Sequence, residues 1–209
     1  MRRAGRSGLL VLALVTLLVG SAVATGYAGR AISAIRAAAW DLDIDRAMDA
    51  VGVAPGMVIG EAGAGDGYFT LPMARRVGAS GAVYANDISR RALDRLSANA
   101  RRERLDNVHV VEGDVGDPRF PRRDLDVIVV FDCLFEFTEQ AAWLESARGY
   151  LKPGGRIVVV DPDRAKMASP HFLTRQRLAA LAESAGLEVV AVDDTFLKTH
   201  MIVALRPTR

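Results

Sequence analysis

The run LDVIVVFD, residues 125–132, restricts the fold of this chain more than any other stretch. It is apolar at nearly every position rather than at alternate ones, the pattern of a strand covered on both faces. Such strands belong to parallel sheets with helices packed on either side. The flanking sequence supplies the rest of that sheet. GMVIGE, GAVYAND and NVHVVEGD read as strands before it, and RIVVVD, LEVVAVDDTF and THMIVALRP as strands after it. GYFTLPMARRVG, RRALDRLSANARRERL, TEQAAWLESARGYL and TRQRLAALAESAG read as helices between them. Pro72 is tolerated in a first helical turn, Ser89 suits an N-cap and Gly186 a C-cap. KPGG, residues 152–155, reads as the turn into the fifth strand. Only a short link, about Leu197–Thr199, joins the last two strands, so they should pair as an antiparallel hairpin at one edge. The expected class is α/β: a doubly wound, mostly parallel sheet with an antiparallel C-terminal edge hairpin.

The N-terminal 29 residues read differently. Arg2, Arg3 and Arg6 precede 23 uncharged residues, Ser7–Gly29, with small residues at Ala22 and Ala24. This fits a signal peptide cut before Thr25, or an uncleaved hydrophobic helix approaching the roughly 20 residues that span a bilayer. The expectation is an exported or membrane-anchored protein, its domain (residues 30–209) on the non-cytoplasmic side. Residues 30–52 read as an alanine-rich helix ended by Gly52.

Charge and cysteine content narrow the function. A formal charge of +2 gives no argument for nucleic acid, and only three of the 27 cationic residues are lysines. Cys133 is the sole cysteine, so neither an intramolecular disulfide nor a cysteine-ligated metal is expected. His109, His171 and His200 are scattered, and no metal site is expected from them.

In an open α/β sheet, ligands sit beyond the carboxyl ends of the strands. Four successive strands end near a carboxylate: Glu61, Asp87, Asp114 and Asp132. The first is followed by a glycine-rich turn, VIGEAGAGDGYFT, with Gly63, Gly65 and Gly67. The G-x-G-x-x-G spacing of a dinucleotide site fails here, because Tyr68 and Thr70 stand where glycine is needed. What remains is bare backbone with an acid beside it. That acid would repel a pyrophosphate and attract an ammonium or sulfonium. Asp87 sits where a carboxylate accepts both ribose hydroxyls, and Asp114 could accept from an exocyclic amine. S-adenosyl-L-methionine meets all three demands.

With these residues in view, VIGEAGAGDGYFT, GAVYANDIS, VVEGDV, VIVVFDCLFEF and LKPGGRIVVVD resemble, in order, the motifs of class I S-adenosylmethionine-dependent methyltransferases, especially small bacterial ones with export signals. The likeness covers about residues 40–205. It implies a Rossmann-like, seven-stranded sheet with a reversed final strand. It also implies that Glu61 and the glycine turn hold the methionine portion, Asp87 the ribose and Asp114 the adenine, with Ile88, Val115 and Asp132 in the same cofactor-binding set. Two positions depart from the pattern. Gly60 stands where a bulkier residue is usual, which would loosen the turn. Phe135 stands where related exported enzymes often carry histidine, which bears on the general base and the substrate class.

The implied reaction is methyl transfer to an oxygen, nitrogen or carbon nucleophile of a small-molecule or lipid-like acceptor. Asp132 and Glu136 are the candidate catalytic acids, needed only if the nucleophile starts protonated. Cys133 reads as a small buried hydrophobe, and Phe131, Phe135 and Phe137 as mainly core. The alternative is an exported module that binds the cofactor without turnover.

Overall fold

The computed structural model describes residues 43–167, 169–195 and 197–208. The hydrophobic segment of residues 7–29 and the first part of the expected 30–52 helix lie outside the described residues. Among the described residues no helix is long and apolar enough to cross a membrane.

Helix α1 (Ile44–Val51) opens with Asp43 accepting from the backbone N–H groups of Asp45 and Arg46. It ends at Gly52, as the sequence indicates, with φ of 76°. Strand β1 (Val58–Ala62), α2 (Thr70–Val77), β2 (Ala82–Asp87), α3 (Arg90–Arg102), β3 (Val108–Glu112) and β4 (Leu125–Phe131) follow. A 3₁₀ turn (Leu134–Glu136) leads to α4 (Gln140–Arg148), then β5 (Leu151–Pro162), the short α5 (Arg164–Met167), α6 (Arg175–Ser184), β6 (Leu187–Asp193) and β7 (His200–Pro207). Ser89 caps α3 through Ala92 N, and Gly186 takes a φ of 67° just past α6.

The seven strands lie in the order β3-β2-β1-β4-β5-β7-β6. Only β7 runs against the rest, paired antiparallel to both β5 and β6. The expected sheet and its edge hairpin are both present. One local reading changes: KPGG lies inside β5 rather than before it. Leu151 pairs with Leu125 and Arg156 with Val127, so the four residues of KPGG sit in a register shift at the start of the strand. Pro153 has no N–H for a ladder, and Gly154 has φ of 80°.

β4 sits at the sheet's centre and explains its own composition. Val127, Val129 and Phe131 pack with α1 and α2, while Ile128 and Val130 pack with α4 and α6. The strand alternates between two apolar layers, so both sets of side chains are buried. Gly60, expected to loosen its surroundings, does not. A Cβ there would lie 2.8 Å from the ring of Phe120 and 2.9 Å from Leu125 Cδ1. Phe120 fills the place and is itself packed edge-on against Tyr150 at 5.6 Å.

Candidate active site

The chain leaves β1 on one side of the sheet and, after β3, crosses to β4 on the other, so strand order reverses between β1 and β4. A crevice forms where the two connections part. Here it is a cavity of about 360 Å³ whose walls come from the turns after β1, β2, β3 and β4.

The turn after β1 is shaped by glycine. Gly63, Gly65 and Gly67 have φ of 68°, 56° and 98°, a region that residues with a Cβ avoid. The three serve different ends. A Cβ on Gly63 would lie 2.7 Å from Cys133 Sγ, whereas one on Gly65 would meet nothing within 4 Å. Gly65 therefore presents bare backbone to open space, and it lines the cavity. A Cβ on Gly67 would strike Leu96 Cδ1 at 2.5 Å. Gly67, grouped by sequence with the cofactor-binding residues, is not on the cavity wall; it brings the start of α2 close to α3.

Two acids secure this turn. Asp87, the last residue of β2, accepts from Gly65 N and from Ser89 N, each at 2.8 Å. Glu61 is only 2 % exposed, and its Oε2 accepts from Thr70 Oγ1 at 2.5 Å. Burial pushes its carboxyl up to about 8; the Thr70 hydrogen bond opposes the rise and the charge of Asp87 adds to it. Burial thus favours the protonated form of Glu61, and a cation placed beside it would favour the ionised one. Ile88 and Val115, beside Asp87 and Asp114, are 63 % and 42 % exposed and offer apolar surfaces on the same wall. Asp114 is held by Val115 N at 2.8 Å and by Arg119 at 2.7 Å.

The turn after β4 is built otherwise. Asp132 has φ of 56°, in the left-handed region that non-glycine residues enter only when their surroundings hold them there. Its N–H bonds to Val160 O at 2.8 Å. The following residues are held by Asp161, wholly buried at the end of β5. Asp161 Oδ1 accepts from Cys133 N at 3.0 Å and Oδ2 from Phe135 N at 3.1 Å. Burial chiefly, and then the charge of Asp132, push the Asp161 carboxyl up to about 8. Sequence reading missed Asp161, although RIVVVD ends in it as the other strands end in theirs. His200, fully buried on β7, was missed as well. Its Nε2 lies 3.9 Å from Asp132 Oδ1, and its Nδ1 lies 2.8 Å from Thr199 Oγ1.

Glu61, Gly63, Gly65, Asp87, Ile88, Asp114, Val115, Asp132 and Glu136 all meet on this one cavity. A family model described as a methyltransferase domain matches residues 54–194, well over half of the chain and the whole of this site. This chain belongs to the methyltransferase-domain family.

Other similarities concern parts of the molecule. The nocamycin O-methyltransferase of Saccharothrix syringae is 30% identical over 146 residues, 70% of this chain and 52% of that protein. The ubiquinone/menaquinone biosynthesis C-methyltransferase UbiE of Vibrio parahaemolyticus is 35% identical over 118 residues, 54% and 44% of the two. The chain spans about half the length of these curated relatives. Among solved structures, a SAM-dependent methyltransferase from Aquifex aeolicus superposes with a TM-score of 0.71 at 21% identity, covering 78% of this chain and 88% of that one. The CcbJ methyltransferase from Streptomyces caelestis gives 0.69 at 18%, covering 80% and 90%. These likenesses show the fold.

Within this methyltransferase domain the remaining candidates separate by position. Phe131 and Phe137 line the cavity, and Phe69 stacks on Phe131 at 4.0 Å. Phe135 does not line it; its ring packs edge-on against His171 and Phe172 at 5.5 and 5.0 Å. Cys133 lies on the wall with its thiol pushed well up by burial and by the acids around it, which leaves it a poor nucleophile.

Proposed function

We propose that this chain is an S-adenosyl-L-methionine-dependent methyltransferase acting on an oxygen, nitrogen or carbon nucleophile of a small-molecule acceptor. The observation that carries the reading is the pairing of bare backbone at Gly65 with buried Glu61 on one cavity wall of a methyltransferase domain. The residues fit the cofactor. Glu61 suits its cationic methionine portion, and Asp87, one lone pair per oxygen already used, suits the ribose hydroxyls. Asp114, Ile88 and Val115 suit the adenine. The bound cofactor supplies a methyl group already activated by positive sulfur. The chain's own contribution is then alignment, exclusion of water and removal of a proton where the nucleophile carries one. We assign that last role to Asp132 or Glu136, both of which line the cavity on the turn after β4.

Placement outside the cytoplasm or on a membrane, and a lipid-like acceptor, are proposed from the sequence of residues 1–29 alone. Fractionation of cells expressing the full chain tests this placement, which recovery in the cytoplasmic fraction would sink. The activity is tested by incubating the protein with methyl-labelled cofactor and a small-molecule extract, then identifying labelled products by mass spectrometry. A labelled small molecule is expected. Cofactor binding without any labelled product would favour a binding module instead.

A further inference from the structure

Among the described residues the cavity wall carries five acidic side chains, Glu61, Asp87, Asp114, Asp132 and Glu136, and no lysine, arginine or histidine. The site itself rests on the cavity and the methyltransferase domain; the acids bear on what the cavity admits. Three of them belong to the donor wall, each held there: Glu61 by Thr70, Asp87 by the Gly65 and Ser89 amides, Asp114 by the Val115 amide and Arg119. Asp132 and Glu136 belong to the turn after β4, across the switch point. The rest of the wall is rich in rings: Tyr68, Phe69, Phe131, Phe137 and Trp143. Arg119 pairs with the wall acid Asp114 at 2.7 Å on the donor side, and behind the turn after β4 the buried His200 Nε2 lies 3.9 Å from Asp132 Oδ1.

We infer that the acceptor is an amine that enters the cavity as an ammonium. The inference rests on the methyltransferase reading above and narrows it. An acceptor bearing a carboxylate or phosphate would face Asp132 and Glu136 with no lysine, arginine or histidine among the described lining residues to offset the repulsion. An ammonium is attracted by both acids and by the faces of the surrounding rings. The chemistry balances. The ammonium first gives one proton to Asp132 or Glu136, which frees the nitrogen lone pair. That pair forms the N–C bond as the C–S bond breaks with its electrons left on sulfur. The sulfonium becomes a neutral thioether, the nitrogen carries the positive charge, and the carboxylic acid returns its proton to water.

The test is calorimetric, with the protein saturated by S-adenosylhomocysteine and titrated with 2-phenylethylamine, 2-phenylethanol and 3-phenylpropionate. The amine is expected to bind at least about tenfold tighter than the alcohol, and the acid not detectably. The double variant Asp132→Asn, Glu136→Gln is expected to lose most of that preference. Equal affinities, tighter binding of the alcohol or acid, no binding of any probe, or a preference untouched in the variant overturns the amine assignment while leaving the methyltransferase reading intact. Failure of S-adenosylhomocysteine itself to bind removes that reading and the amine assignment with it.

Discussion

The two turns that make the cavity solve one problem in opposite ways. After β1 the backbone enters the left-handed region at glycines, where that conformation carries little penalty. After β4 it does so at Asp132, where the penalty is about 1–3 kcal/mol and tertiary contacts must hold it. The first turn is secured by Asp87 of the neighbouring β2, the second by Asp161 of the neighbouring β5. The proposed donor wall is therefore built on relaxed backbone, whereas Asp132, one of the two acids proposed to meet the acceptor, sits on strained backbone over a buried carboxyl. The donor half should tolerate little steric change and the acceptor half little electrostatic change.

The largest effect should come from filling the bare donor wall. Gly65→Ala places its methyl group in open space, so the fold should survive with a loss of about 1–2 kcal/mol for the left-handed backbone. Affinity for S-adenosylmethionine should fall by ~100-fold, about 2.7 kcal/mol. Calorimetry paired with a thermal melt checks this, and unchanged affinity in a folded variant would break the comparison.

Asp161→Asn should act on the other turn. One of the two backbone donors at Cys133 and Phe135 then faces an amide NH₂, at a loss of about 2 kcal/mol in stability. Denaturant unfolding measures it, and methyl transfer should suffer more than donor affinity. A stability loss with transfer intact would show that the turn needs no such support.

The pH dependence of donor binding should sharpen the contrast. Burial holds the Glu61 carboxyl up at about 8, and a cationic ligand favours its ionised form. Raising the pH makes that form available until the ligand's own α-ammonium, with a pKa of about 8, loses its charge, so affinity should rise roughly tenfold from about pH 6 to about pH 8 and fall again above that. In Glu61→Gln the affinity should be low and the rise up to about pH 8 absent; an unchanged rise would assign it to another group.

The smallest effect should be Asp132→Gly. Relief of the left-handed strain should raise stability by about 1 kcal/mol while transfer falls. A destabilised variant would show that the Asp132 side chain contributes more than its backbone conformation takes away.

This contrast also explains what could be read in advance. The sheet was legible because β4 is apolar on both faces and the alternating elements leave few alternatives. The donor wall was legible because glycines and strand-end acids lie within a few residues of each other. Asp161 and His200 were not, since their importance depends on β5 and β7 flanking the β4 turn, a contact between residues dozens of positions apart. Gly67 was assigned to the ligand because spacing cannot separate a glycine that faces a cavity from one pressed on Leu96. The apparent weakness at Gly60 vanished for the same reason: Phe120 comes from a distant loop.

The central claim is that buried Glu61 and the exposed backbone of Gly65 select an adenosyl donor with positive charge at its methionine end. A crystal structure with S-adenosylmethionine tests it most directly. The account predicts the donor's methionine end against Gly63–Gly65 with its ammonium near Glu61, and its ribose hydroxyls on Asp87. A donor bound elsewhere, or a diphosphate seated on the glycine turn, would contradict it.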